Sequence, residues 1–173
     1  QYIYNGANDN GSSSACILEL AQAFSISKKR PKRSILFVLW SGEEKGLLGS
    51  QFYTINPIYP LKNTLIYINM EQIGVPMDPR YTKYFYKRRF KQEMPKNLMK
   101  QIKADNFFTM TMPLKNSDLQ QTLMFKSAKY SSLDFNWKQS ELGGGSDHRS
   151  FINKGVPYFY IFGGFGKNMH TPK

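Results

Sequence analysis

The sequence predicts an α/β layered fold, and three observations carry the prediction. Two continuous apolar runs, Ile35–Trp40 and Leu65–Met70, have the length and composition of strands buried on both faces. Segments of helical periodicity alternate with them across short connections, the order that stacks helices on a sheet. Both runs end in acid, at Glu43-Glu44 and at Glu71, and in such folds functional groups collect beyond the carboxyl ends of the strands.

Taken in order, the chain opens on a loop of turn formers, Asn8-Asp9-Asn10-Gly11. Ser13 to Phe24 follows with Ile17, Leu18, Leu20, Ala21 and Phe24 on one helical stripe. A basic segment, Lys28 to Arg33, leads into the first strand, and Lys45 to Thr54 reads as the next helix. The second strand then delivers Glu71. Between Pro76 and Glu141 the patterns are weaker: a helix over Pro95 to Lys103, a strand over Phe107 to Met112 and a helix over Leu119 to Lys129. Asp147 to Asn153 starts a further helix, Val156 to Phe162 reads as strand, Gly163-Gly164 breaks it, and His170 follows on a loop.

At 173 residues and 40% hydrophobic, residues 1–173 make a single domain with enough apolar side chains for a core. There is no internal repeat, no apolar run of membrane-spanning length, and no N-terminal secretory pattern. Cys16 is the sole cysteine, which excludes an internal disulfide framework and any cluster of thiolates, so a metal here must sit on oxygen and imidazole. The net charge of +12 gathers in Lys28–Arg33 and in Arg80 to Lys103, where Tyr and Phe interleave with Lys and Arg. A basic module that stacks bases is therefore the competing class, but no nucleic-acid motif accompanies the patch and nucleic acid is not expected as a partner.

Each acidic candidate has an ordinary explanation. Glu43 and Glu44 suit the positive end of the following helix, and Asp9 suits a turn or cap. Glu71 is less ordinary, because a carboxylate closing a buried strand wants a positive partner or a metal. With two histidines in the chain, His148 in Ser146-Asp147-His148 reads as a helix-start residue paired to its neighbour, and His170 as a surface imidazole or a ligand. Amide hydrolysis at neutral pH needs an activated water, a polarised carbonyl and a proton carrier, which a metal such as zinc and a carboxylate supply together. Consecutive glutamates divide that labour, since one side chain binds metal while its neighbour stays free as base.

Four blocks stand out in their joint order: Tyr4-Asn5-Gly6-Ala7-Asn8-Asp9-Asn10-Gly11, Ser41-Gly42-Glu43-Glu44-Lys45-Gly46-Leu47-Leu48-Gly49-Ser50, Asn69-Met70-Glu71-Gln72-Ile73-Gly74, and Ser146-Asp147-His148 followed by His170-Thr171-Pro172. In these the chain resembles the zinc aminopeptidase family that also contains glutamate carboxypeptidase and glutaminyl cyclase. The resemblance implies a three-layer α/β/α fold with a mixed, mostly parallel central sheet, incomplete here at both termini. It implies two zinc ions bridged by Asp9, with Glu44 and His170 completing one site and Glu71 serving the other. Glu43 is then the general base, with Asp147 and His148 supporting from behind, the substrate is a peptide, and the location is extracytoplasmic.

The chain departs from the family pattern in having Glu71 where Asp is frequent, and Gln72 where an apolar residue is common. The family also draws a second-zinc histidine from a segment ahead of the bridging aspartate, and this chain begins eight residues before Asp9. The resemblance therefore implies one complete zinc site, little activity in the chain as it stands, and exposed apolar faces that favour self-association. A single-zinc, glutaminyl-cyclase-like chemistry is the alternative within the family.

Overall fold

The computed structural model describes residues 2–75, 78–94, 96, 107–112, 117–131, 134–139, 145–166 and 169–172. Helices α1 (Ser13–Ile26) and α2 (Leu48–Ile55) precede strand β1 (Tyr67–Glu71). Helix α3 (Pro79–Phe90), strand β2 (Phe107–Met112), helix α4 (Ser117–Tyr130) and strand β3 (Asp134–Gln139) follow. The short helix α5 (His148–Ile152) and strand β4 (Tyr158–Phe162) come last. The strands lie in the order β1-β4-β2-β3. β1 runs parallel to β4, with Glu71 opposite Phe162, and β2 runs parallel to β3, while β2 and β4 are antiparallel.

The core sits where α5 packs on β1 and β4. Phe151 of α5 stacks on Tyr67 at 3.9 Å between ring centroids, and Trp40 and Tyr53 close over it at 6.0 Å each. Phe151, Val156, Tyr158, Phe159 and Tyr160 are buried. A buried contact of 2.8 Å between the Ser50 and Ser150 hydroxyls fastens α2 to α5. Burying two hydroxyls is tolerable because each satisfies the other. Among the described residues no helix is long and apolar enough to cross a membrane.

The structure corrects several sequence expectations. Ile35–Trp40 forms neither strand nor helix, and Ile35, Leu36, Phe37 and Leu39 are 36–54% exposed. A strand exists only through its ladder, and β1, the nearest strand in sequence, is paired among the described residues to β4 alone. The second run shortens to Tyr67–Glu71, and Leu65 and Ile68 face outward, so this strand is half-buried rather than buried on both faces. The helix expected over Lys45 to Thr54 is interrupted: Glu43–Lys45 is a 3-10 turn between Gly42 and Gly46 at positive φ, and α2 starts only at Leu48. The chain reaches β2 where expected, and α4 extends a residue or two beyond the reading at each end.

Two elements were missed. Helix α3 starts on Asp78, whose carboxylate accepts from the Arg80 and Tyr81 amides at 2.8 and 3.3 Å with Pro79 in the first turn, a start signal present in the sequence. β3 reads Asp-Phe-Asn-Trp-Lys-Gln, a period-two alternation. The helix expected over Pro95 to Lys103 lies outside the described residues, apart from residue 96, as does the distal part of the basic segment from Arg80.

Candidate metal centre

Three separate loops bring three donors to one point. Asp9 lies in the irregular turn Ala7–Ser12, where its φ of −107° and ψ of 92° and the cis peptide to Asn10 turn it out of the path into α1. Glu44 stands on the Glu43–Lys45 turn. His170 adopts a left-handed φ of 54° on the loop after β4. His170 Nε2 lies 3.1 Å from Asp9 Oδ2 and 2.8 Å from Glu44 Oε1, and the donor atoms of the three all fall within 4.8 Å of one another. Asp9 therefore faces the imidazole instead of capping α1, and Glu44 stands apart from the first turn of α2.

The surroundings are acidic without basic relief. Among the described residues no Lys or Arg pairs with Asp9, Glu43, Glu44, Glu71 or Asp147, although the chain carries +12 overall. Burial pushes the Glu43 carboxyl up to about 7, with the charges of Glu71, Glu44, Asp147 and Asp9 adding to the shift. Asp9 is raised by burial and by Glu44, against the pull of His170. Burial raises Asp147 too, partly offset by a hydrogen bond from Ser50. Five carboxylates of the chain's twelve acidic residues thus crowd one edge, an arrangement that asks for a cation.

Glu71 is placed differently from the converging trio. The Tyr160 hydroxyl donates to its Oε2 at 2.8 Å and Ser146 bonds it as well, both opposing the upward shift that burial imposes. Ser146 Oγ in turn accepts from Asn69 Nδ2 at 3.0 Å, and Asn69 Oδ1 accepts from Tyr67 Oη at 2.8 Å. Trp40 Nε1 donates to the same Tyr67 oxygen at 3.0 Å, so a hydrogen-bond chain reaches from the aromatic core to Glu71.

The structure corrects the reading of His148 as paired to Asp147. Its imidazole is wholly buried, stacks on Tyr160 at 4.3 Å and on Tyr158 at 5.3 Å, and neither nitrogen has a hydrogen-bond partner among the described residues. Burial, reinforced by the adjacent Arg149 charge, pushes it down to about 4, so the ring is uncharged at neutral pH. Asp147, at the N-terminus of α5, is buried and near enough to Glu43 to raise it.

The donor set fits a zinc ion. Two carboxylate oxygens and one imidazole nitrogen converge with Glu44 and His170 more than half exposed, which leaves a side open to solvent, as a catalytic zinc with three protein ligands requires. Tyr160 was not foreseen as a partner of Glu71, because it lies in a strand with an apolar look, and neither were Asn8 and Asn10, whose side chains bond the backbone of Met70, Gln72 and Gly74. The asparagines carried only the signal of turn formers.

Known proteins share sequence and fold with this chain. The pattern of peptidase family M28 matches residues 1–173. Leupeptin-inactivating enzyme 1 of Streptomyces exfoliatus is 31% identical over 161 residues, 92% of this chain and 29% of that protein. An aminopeptidase of Pseudomonas aeruginosa is 40% identical over 72 residues, covering 41% of this chain and 13% of its own length. The chain therefore spans less than a third of these relatives. Among solved structures, the LapA aminopeptidase of Legionella pneumophila superposes on 97% of the chain and 40% of its own, with a TM-score of 0.67 and 22% identity. The aminopeptidase of Aneurinibacillus sp. strain AM-1 does so over 97% and 34%, with a TM-score of 0.65 and 23% identity. These two likenesses concern the fold, which is α/β.

Proposed function

The chain belongs to peptidase family M28, and on that premise we propose that it is the site-bearing part of a zinc aminopeptidase that removes N-terminal residues from peptides. The observation that supports this most is the convergence of Asp9, Glu44 and His170 beside a carboxylate, Glu43, that is not one of the three. A three-layer α/β/α arrangement with a mixed, mostly parallel sheet is part of the proposal.

In this reading Asp9, Glu44 and His170 would hold one ion, and Asp9 together with Glu71 would contribute to a second. Zinc held there would supply Lewis acidity for the scissile carbonyl and for a water at neutral pH. The protein's own part is proton traffic and orientation. Glu43 accepts the proton of the attacking water on a carboxylate oxygen and delivers it to the departing amine nitrogen. A carboxyl poised near the working pH does both most efficiently. Tyr160 and Ser146 fix the Glu71 carboxylate, which keeps lone pairs free for a cation.

The test replaces the base and keeps the ligands. Glu43→Gln, made in the protein that carries this chain, is expected to lower kcat on aminoacyl test substrates by about 10²–10⁴-fold while zinc content is unchanged. Undiminished hydrolysis would remove Glu43 from the mechanism, and cyclisation of N-terminal glutamine in place of hydrolysis would shift the assignment to the cyclase chemistry.

Two further features belong to the proposal. An extracytoplasmic site of action rests on the family alone. Self-association is supported by the exposed Ile35, Leu36, Phe37 and Leu39 beside Phe24 of α1, whose ring lies 6.1 Å from that of Phe37. Sedimentation of the chain at rising concentration is expected to show an increasing mean mass, and a mass constant at one chain contradicts it.

A further inference from the structure

The Asp9 loop and the end of β1 are strangers in sequence, yet side-chain amides lace them together. Asn10 Nδ2 donates to the Met70 carbonyl at 3.1 Å, and Asn10 Oδ1 accepts from the Gln72 amide at 3.1 Å. The two bonds therefore straddle Glu71: one grips the residue before it, the other the residue after it. This is the pattern a neighbouring strand would make, supplied by a single side chain at the point where the ladder ends. On the other side of Asp9, Asn8 Oδ1 accepts from the Gly74 amide at 2.9 Å and from Ser12 Oγ at 3.2 Å.

The approach is close enough to exclude a side chain. A Cβ on Gly74 would fall 2.6 Å from Ser12 Cβ and 2.9 Å from Asn8 Oδ1. Gln72 itself is buried with a left-handed φ of 53°, and its Nε2 donates to Met169 Sδ at 3.5 Å, next to His170. The loops that carry Asp9 and His170 are thereby tied to the one short stretch that holds Glu71, Met70 to Gly74.

We propose that Asn10 is a positioning residue that sets the distance between Asp9 and Glu71, with Asn8 as its weaker counterpart on the other flank. It rests on the metal-site reading above. The reason for an amide is chemical: only a side chain that donates from one atom and accepts at another can satisfy a carbonyl and an N–H two residues apart. An aspartate there would face the Met70 carbonyl with a second acceptor. Two carboxylates that share an ion must be held within a few tenths of an ångström, and neither the irregular turn Ala7–Ser12 nor the last residue of β1 does this alone.

The experiment compares the wild-type chain with Asn10→Ala and Asn8→Ala, using zinc titration by calorimetry and hydrogen exchange of the Gln72 and Gly74 amides without metal. Asn10→Ala is expected to weaken zinc binding about 10–100-fold and to speed exchange of the Gln72 amide by about fivefold or more, with the far-ultraviolet dichroism unchanged. Asn8→Ala is expected to expose Gly74 in the same way with a smaller loss of affinity, and it carries the test if Asn10→Ala does not fold. Wild-type zinc affinity in both variants overturns the proposal, as do Gln72 and Gly74 amides that exchange at the wild-type rate. If the wild-type chain binds no zinc, the metal reading itself fails, and exchange alone then decides the clamp, equal rates overturning it.

Discussion

At the scale of single residues, the site is a place where negative charge has been gathered against its own repulsion. Glu43 shows the cost: its carboxyl is raised to about 7 by burial and by Glu71, Glu44, Asp147 and Asp9. A carboxyl whose folded value exceeds its unfolded one destabilises the fold as pH rises from the unfolded value, near 4.5, through 7, because the folded state is then the better proton binder. In chelator-treated protein, Glu43→Gln is therefore expected to equal wild type in stability at pH 4 and to exceed it by about 1 kcal/mol above pH 7, after allowance for solvent screening. Urea titrations at the two pH values check this, and a difference independent of pH would show that Glu43 carries no such strain. The meeting of Asp9, Glu44 and His170 was legible in the sequence because the residues flanking them resemble the blocks of a known family. Asn10 and Tyr160 were not, since an asparagine in a turn and a tyrosine in a strand look the same whether or not they grip a distant carbonyl or carboxylate.

At the scale of elements, the site depends on how closely the ends of β1 and β4 approach. The Gly163 amide donates to the Glu71 carbonyl at 3.1 Å, and a Cβ on Gly163 would stand 2.0 Å from the Gln72 carbonyl oxygen. No rotamer relieves a clash with backbone, so Gly163→Ala must part the two strand ends. It is expected to cost about 3 kcal/mol, the upper range of overpacking, and to lower zinc affinity with it. Thermal unfolding checks the first, and an alanine variant as stable as wild type would mean that the strand ends are not in contact. α1, β2, α4 and β4 were legible because their apolar periodicity is strong and their ends carry turn residues. Ile35–Trp40 misled because hydrophobicity signals a strand without signalling a partner. The 43–55 region misled because Gly46 and Leu47 break a helix whose apolar pattern is continuous.

At the scale of the whole molecule, a cationic chain carries an anionic site. Charges of both signs are segregated: 24 Lys and Arg stand against 12 Asp and Glu, and five of those acids meet at one edge of the sheet. The α/β frame, with α5 packed on β1 and β4, brings the loops of Asp9, Glu44 and His170 together at that edge. Folding thus assembles a donor set that the extended chain lacks, and metal binding is expected to stabilise the fold in return. The most direct test of this claim is a calorimetric zinc titration of the wild-type chain beside His170→Ala. Stoichiometric binding by wild type is expected, with a loss of about tenfold or more in affinity when the imidazole is removed. Equal zinc affinity in the two proteins, or none in either, would contradict it.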